Sequence, residues 1–228
     1  RSERGMDPFT MPHMTSTMIL PVYGFATIIY DLEWKYGQGT FQNKFSPEYT
    51  LMATNGDLAG AWPIVLGDRN YDDPFTVPRS YTGCLLAHDV YWIQGRAGGS
   101  FLRPVVDILE EPDVQVARYW DEGPLPVSGV HRNVRWIAHY VPGERALISL
   151  ANYWHGPSQT RVHLDLDRLG FDAPVTVRDA ETLRHYRPED GKGVLVRMGS
   201  HQVRMLEVVP KGGLIRFDRS GRWVTDEV

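Results

Sequence analysis

From Val134 to Val209 the chain runs in short stretches that alternate apolar with polar residues, each closed by Gly, Pro or Asp. The clearest is Arg161-Val-His-Leu-Asp-Leu-Asp167. Val162, Leu164 and Leu166 fall on one side of it, and Arg161, His163, Asp165 and Asp167 on the other. A period of two marks a strand with one buried face. Val134 to Tyr140 and Ala146 to Tyr153 read as two more strands, joined by the turn Val141-Pro-Gly-Glu144. Residues 174–178, 193–197 and 202–209 repeat the pattern. Many short strands separated by turn residues predict an antiparallel β-sandwich.

The first half reads differently, with strands and helices mixed. Phe25 to Tyr30 is a β-branched and aromatic run that ends where polarity rises at Asp31-Leu-Glu-Trp34. Ser46-Pro47-Glu48 is a helix start, with a hydroxyl cap, Pro at the first helical position and an acid in the first turn. That helix stops at Asn55-Gly56. Gly60 to Leu66 reads as a strand. Pro78 opens a helix running to about Tyr91, Phe101 to Glu110 is a short helix, and Val114 to Trp120 is a strand. The expected fold class is α+β and β-rich: a partial barrel-like α/β segment over 14–120, then a β-sandwich over 121–210. Residues 1–13 read as a vector-derived or disordered N-terminus, and 211–228 as a tail or a hairpin around Ser220-Gly221.

Composition bounds the function. A net charge of −4 argues against a nucleic-acid surface, which would need a basic patch. No apolar run is long enough to cross a bilayer, so no membrane partner is expected. The lone Cys84 excludes an intramolecular disulfide. The expected protein is soluble, either bacterial cytoplasmic or secreted as part of a longer protein. Aromatic residues make up 11% of the chain, which suits sugar binding as well as a large β core.

Four runs stand in a familiar order: Gly83-Cys-Leu-Leu-Ala-His-Asp-Val90, Ala117-Arg-Tyr-Trp120, Ala146-Leu-Ile-Ser-Leu-Ala-Asn152 and Val162-His-Leu-Asp-Leu-Asp-Arg-Leu-Gly170. Together they resemble the C-terminal part of glycoside-hydrolase-like proteins related to family 123. The resemblance implies the end of a (β/α)8 barrel followed by a small sandwich, and a carbohydrate-active hydrolase or a fragment of one. Family 123 enzymes carry an adjacent Asp-Glu pair on a middle barrel strand. Here the adjacent Asp-Glu pairs are Asp121-Glu122 and Asp226-Glu227, both in the wrong region. A shortened barrel also implies uncovered strand edges, hence a homo-oligomer.

Candidate site residues follow from type and spacing. Asp31 and Glu33 lie two apart at a strand end beside Trp34 and Tyr36, so both carboxylates share a face if the strand continues. Such a pair supplies acid and base for glycoside hydrolysis, and the aromatics supply stacking surfaces. Glu33 held against an indole loses hydration, which raises its pKa toward that of a general acid. The competing reading is a solvated loop. Trp62 and His88 complete the substrate-binding set. Asp68, Asp72 and Asp73 offer oxygen ligands for Ca2+, against a plain turn-forming loop, since their spacing matches no EF-hand. Asn152-Tyr-Trp-His-Gly156 places aromatics at a strand end, as a sugar platform or as edge packing. No Gly-x-Ser-x-Gly elbow supports an ordinary serine hydrolase. An ester or lactone hydrolase, and a non-catalytic carbohydrate-binding module, remain alternative functions.

Overall fold

The computed structural model describes residues 27–31, 42, 46–54, 62–66, 76–94, 99–172, 174–187, 193–212, 214–217 and 223–226. The chain divides into two compact units, Arg1–Ala97 and Gly98–Val228. The fold class is α+β and β-rich.

The first unit alternates strands and helices: β1 (Ile28–Asp31), α1 (Pro47–Thr54), β2 (Trp62–Leu66), α2 (Thr76–Leu86) and β3 (Tyr91–Gln94). The strands form one parallel sheet in the order β1-β2-β3. Pro63 is tolerated in the middle strand because β2 meets β3 only from Ile64 onward, so at Pro63 it has one neighbour. Helix α1 begins where its cap predicts. The Ser46 hydroxyl accepts from the Tyr49 amide at 3.2 Å, and Pro47 is the first helical residue.

Helix α2 stops at Leu86, short of the expected Tyr91. Asp89 takes the left-handed conformation (φ 57°). Its amide bonds the Leu86 carbonyl at 3.0 Å, and the Val90 amide reaches back to Leu85 at 3.0 Å. This Schellman closure ends the helix with Asp in place of the usual Gly. Tyr91-Trp-Ile-Gln94 is therefore free to pair as β3, in line with the β preference of its aromatic and branched residues.

The second unit opens with α3 (Gly99–Leu109), followed by β4 (Gln115–Arg118), β5 (Val127–Ser128), β6 (Val134–Val141), β7 (Arg145–Asn152), β8 (Ser158–Leu164), β9 (Val175–Asp179), β10 (His185–Tyr186), β11 (Gly193–Met198) and β12 (Val203–Pro210). Helix α3 and β4, which the sequence reading assigns to the first segment, thus group with the sandwich. One sheet is six-stranded, β10-β9-β12-β7-β6-β4, and the facing sheet is three-stranded, β11-β8-β5. Every pairing in both is antiparallel. Val162 and Leu164 are buried as the alternation predicts, while Leu166 lies past the end of β8 and packs against the same core. Trp136, Ile148, Leu150, Val196 and Leu206 meet them between the sheets.

The large sheet is buried on its other face too, at Ile137, Leu147, Ala151 and Met205. Helix α3 packs on β6 and β7. Arg145, on that outer face, donates to the Asp107 carbonyl at 2.7 Å and pairs with Glu111 at 3.0 Å. The predicted C-terminal hairpin corresponds to an antiparallel ribbon of β13 (Leu214–Phe217) and β14 (Trp223–Asp226). Among the described residues, no helix is long and apolar enough to cross a membrane.

Candidate functional site

Two places gather chemistry, one in each unit. In the first, Asp31 is the last residue of β1, at the C-terminal end of a parallel strand. Carbonyl-end loops of parallel strands are where such sheets place ligands. Glu33, Trp34 and Tyr36 follow that end, and Asp68, Asp72 and Asp73 follow the end of β2; all six lie outside the described residues. Trp62 is placed elsewhere. It opens β2 in register with Ile28, so it stands at the strand's beginning, three residues of rise or roughly 10 Å from the level of Asp31.

His88 lies in the turn after α2 and is only 2% exposed. Its Nδ1 lies 2.7 Å from the Cys84 carbonyl, so it closes the helix end. Buried there, the ring is poorly placed to meet a substrate. Cys84 is fully buried, as an inert thiol should be.

In the second unit the loop after β7 carries the aromatic pair singled out in the sequence. Its anchor is Asn152, fully buried and bonded at both ends of its amide. Nδ2 donates to the Gly156 carbonyl at 3.1 Å and to the Gly199 carbonyl at 2.7 Å. Oδ1 accepts from the Trp154 amide at 3.0 Å and from the Ser158 hydroxyl at 2.9 Å. Two neighbouring turns steady the loop further: the Tyr153 amide bonds the Asn133 carbonyl at 2.8 Å, and the Trp154 carbonyl accepts from the His201 amide at 3.2 Å.

A rigid backbone therefore presents Trp154, which is 50% exposed despite its size. A Cβ on Gly156 would stand 3.0 Å from the indole Nε1, so the missing side chain leaves the ring its place. The indole borders a cleft of about 360 Å³ with His131, Arg132, Asn133 and Gln159 along its sides. Among the described residues that line it there is no carboxylate. His155 packs edge-on to His201, with ring centroids 5.2 Å apart. Burial, with His155 next to it, holds the His201 imidazole below its ordinary pKa.

This arrangement offers one aromatic face and several hydrogen-bonding groups, which is what a sugar ring needs. The sequence points to the Asn152 to Gly156 stretch but not to His131, Arg132, Asn133 or Gln159, which reach the cleft from the β5–β6 connection and from β8. Among the described residues no group of three or more His, Cys, Asp or Glu is arranged to hold a metal ion.

No protein-family model matches the chain, and no characterised protein matches its sequence at a significant level. Solved structures with a similar fold include a noncanonic maltogenic alpha-amylase from Thermotoga neapolitana, 10% identical, covering 91% of this chain and 56% of that one, TM-score 0.47. A GH27 β-L-arabinopyranosidase from Geobacillus stearothermophilus is 13% identical over 84% of this chain and 47% of that one, TM-score 0.44. A GH30 endoxylanase from Clostridium papyrosolvens is 10% identical over 88% of this chain and 56% of that one, TM-score 0.44. These structural neighbours are glycoside hydrolases, and this chain spans little more than half of their length at most.

Proposed function

We propose that this is a carbohydrate-active, glycoside-hydrolase-like chain whose sandwich binds sugar without catalysis. The observation that carries the reading is Trp154: a half-exposed indole on a loop locked by four hydrogen bonds of Asn152, beside a cleft with polar sides. Large exposed aromatics on preordered backbone are the usual anchors of recognition. The test is a panel of neutral oligosaccharides titrated against wild type and Trp154→Ala. Binding should weaken at least about tenfold, the scale of losing an aromatic anchor, with an unchanged melting curve. Binding of equal strength in both proteins would refute the reading.

A hydrolytic reading has one observation of its own, the position of Asp31 at the C-terminal end of a parallel strand. In it Asp31 and Glu33 act as base and acid, Trp34 and Tyr36 hold the sugar, and the chain is a shortened relative of family 123. Glu33→Gln should then lower turnover about 10²-fold or more on a glycoside, ester or lactone substrate. A chelator that abolishes activity would assign Ca2+ to Asp68, Asp72 and Asp73. Association of copies through the edges of the β1-β2-β3 sheet belongs to the same proposal; light scattering that shows a monomer at every concentration would remove it.

A further inference from the structure

A second cleft, of about 740 Å³, opens on the side of the sandwich where β10 and β11 are both edge strands. The volume is in the range of small-molecule sites. Among the described residues its lining holds four guanidinium groups, Arg184, Arg187, Arg197 and Arg204, and one carboxylate, Asp179. This is a local excess of positive charge on a chain of net charge −4.

The single acid is already committed. Asp179 is buried, and its Oδ1 accepts from the amides of Glu181 at 3.1 Å and Thr182 at 2.8 Å. Its Oδ2 faces Arg204 Nη1 at 3.4 Å. The Asp179 amide and carbonyl also close the turn, bonding Arg184 at 2.9 Å and Leu183 at 2.8 Å. Arg184 and Arg187 thus stand on a hairpin that Asp179 holds in shape. Arg184, Arg187 and Arg197 are exposed, and none forms an ion pair among the described residues. The Arg204 Nε is buried without a hydrogen-bond partner. Tyr186, partly buried in the same cleft, has its phenol pKa raised by burial and by the Asp179 charge, so it stays protonated as a donor.

Donors are therefore in surplus and acceptors are spent. Guanidinium groups pair with carboxylate or sulfate by two parallel bonds, and several held around one cleft recognise a ligand bearing several oxyanions. We propose that this cleft binds the acidic groups of an anionic oligosaccharide. The saccharide half of the assignment rests on the carbohydrate reading above, while the anionic half rests on the cleft alone.

Calorimetric titration of the purified full chain with an oligogalacturonate, a neutral oligosaccharide of matched length, inorganic sulfate and a single-stranded oligonucleotide tests both halves. The oligogalacturonate should bind wild type, and bind Arg184→Ala/Arg197→Ala at least about tenfold more weakly, the loss of one or two charge-assisted bonds. The affinity should also fall as NaCl rises from about 0.05 M to about 0.5 M, since the arginines are exposed and screened. Arg187→Ala/Arg197→Ala, which leaves the hairpin turn alone, gives the same result if the first variant melts early. Unchanged affinity in both variants overturns the proposal. So does tighter, arginine-dependent binding of the oligonucleotide, or inorganic sulfate binding as well as the oligosaccharide. Failure of the Trp154 reading looks different: no neutral sugar binds, while the arginine-dependent binding persists.

Discussion

Replacing Asn152 with alanine should separate the architecture of the sugar-binding loop from its contacts. The amide makes four hydrogen bonds in a site with no exposure, to Gly156, Gly199, Trp154 and Ser158. Alanine removes all four and leaves two carbonyls, an amide and a hydroxyl without their partner. Each buried group left unpaired costs about 1–3 kcal/mol, less where water or a small shift reaches it. The hydroxyl can rotate and both glycine carbonyls are only partly buried, so a sum of about 3–5 kcal/mol is expected. That is a large part of a domain stability of about 5–15 kcal/mol. At about 2–4 °C per kcal/mol it lowers Tm by about 6–20 °C. Asn152→Asp discriminates further. It keeps the acceptor for Trp154 and Ser158 but turns a carboxylate oxygen toward two carbonyls, so at neutral pH it should be no milder than alanine. Burial and those carbonyls would raise the carboxyl pKa in the folded state. Its deficit should therefore grow as pH rises from the unfolded value through that pKa, and below the unfolded value shrink to the cost of the one carbonyl that a single carboxylic O–H leaves unpaired. Thermal and urea denaturation of the three proteins measure this. A loss below about 1 kcal/mol for Asn152→Ala would show that the loop is held by other contacts, and the rigidity claimed for Trp154 would fall with it.

Three further outcomes follow. Burial raises the pKa of Glu207, against the opposing pull of Arg178 and Arg145, so the folded state holds its proton to higher pH than the unfolded chain does. Stability should thus decline as pH rises from the ordinary glutamate value through the folded one, and urea midpoints of Glu207→Gln should lack that decline. Gly170 has φ 79°, and a Cβ there would stand 2.7 Å from the Gly143 nitrogen and 2.9 Å from Pro142 Cβ. Gly170→Ala should cost more than about 2 kcal/mol from left-handed strain plus backbone overlap; a calorimetric loss under about 1 kcal/mol would mean that the two turns part freely. Gly156→Ala crowds only the indole, so it should weaken neutral-sugar binding several-fold with Tm within about 2 °C; intact binding would place the sugar away from that ring edge.

Local chemistry made much of this molecule legible in advance. Ser46-Pro47-Glu48 starts α1 because capping is decided within one turn of chain. The alternation from Val134 to Val209 yields β6 to β9, β11 and β12 because a strand's faces depend on its own residues. Boundaries failed where conformation overrode composition. Asp89 ends α2 in a left-handed turn that glycine usually makes, so no glycine stop marks off the β-prone Tyr91-Trp-Ile from the helix before it. Strands β5 and β10, two residues each, are too short to carry a period.

Both clefts of the second unit are decisions of the tertiary structure. His131 and Gln159 meet Trp154 only because β8 and the β5–β6 connection end beside the β7 loop. The arginines at 184, 187, 197 and 204 look like scattered surface charges along the chain. They share a cleft because β10 and β11, consecutive in sequence, close two different sheets on the same side, with Arg204 arriving from β12. Strand faces are set by neighbours in sequence, and so the residues determined them. Sheet order is set by which edges find partners once the whole core has packed, and no short window of sequence contains that information.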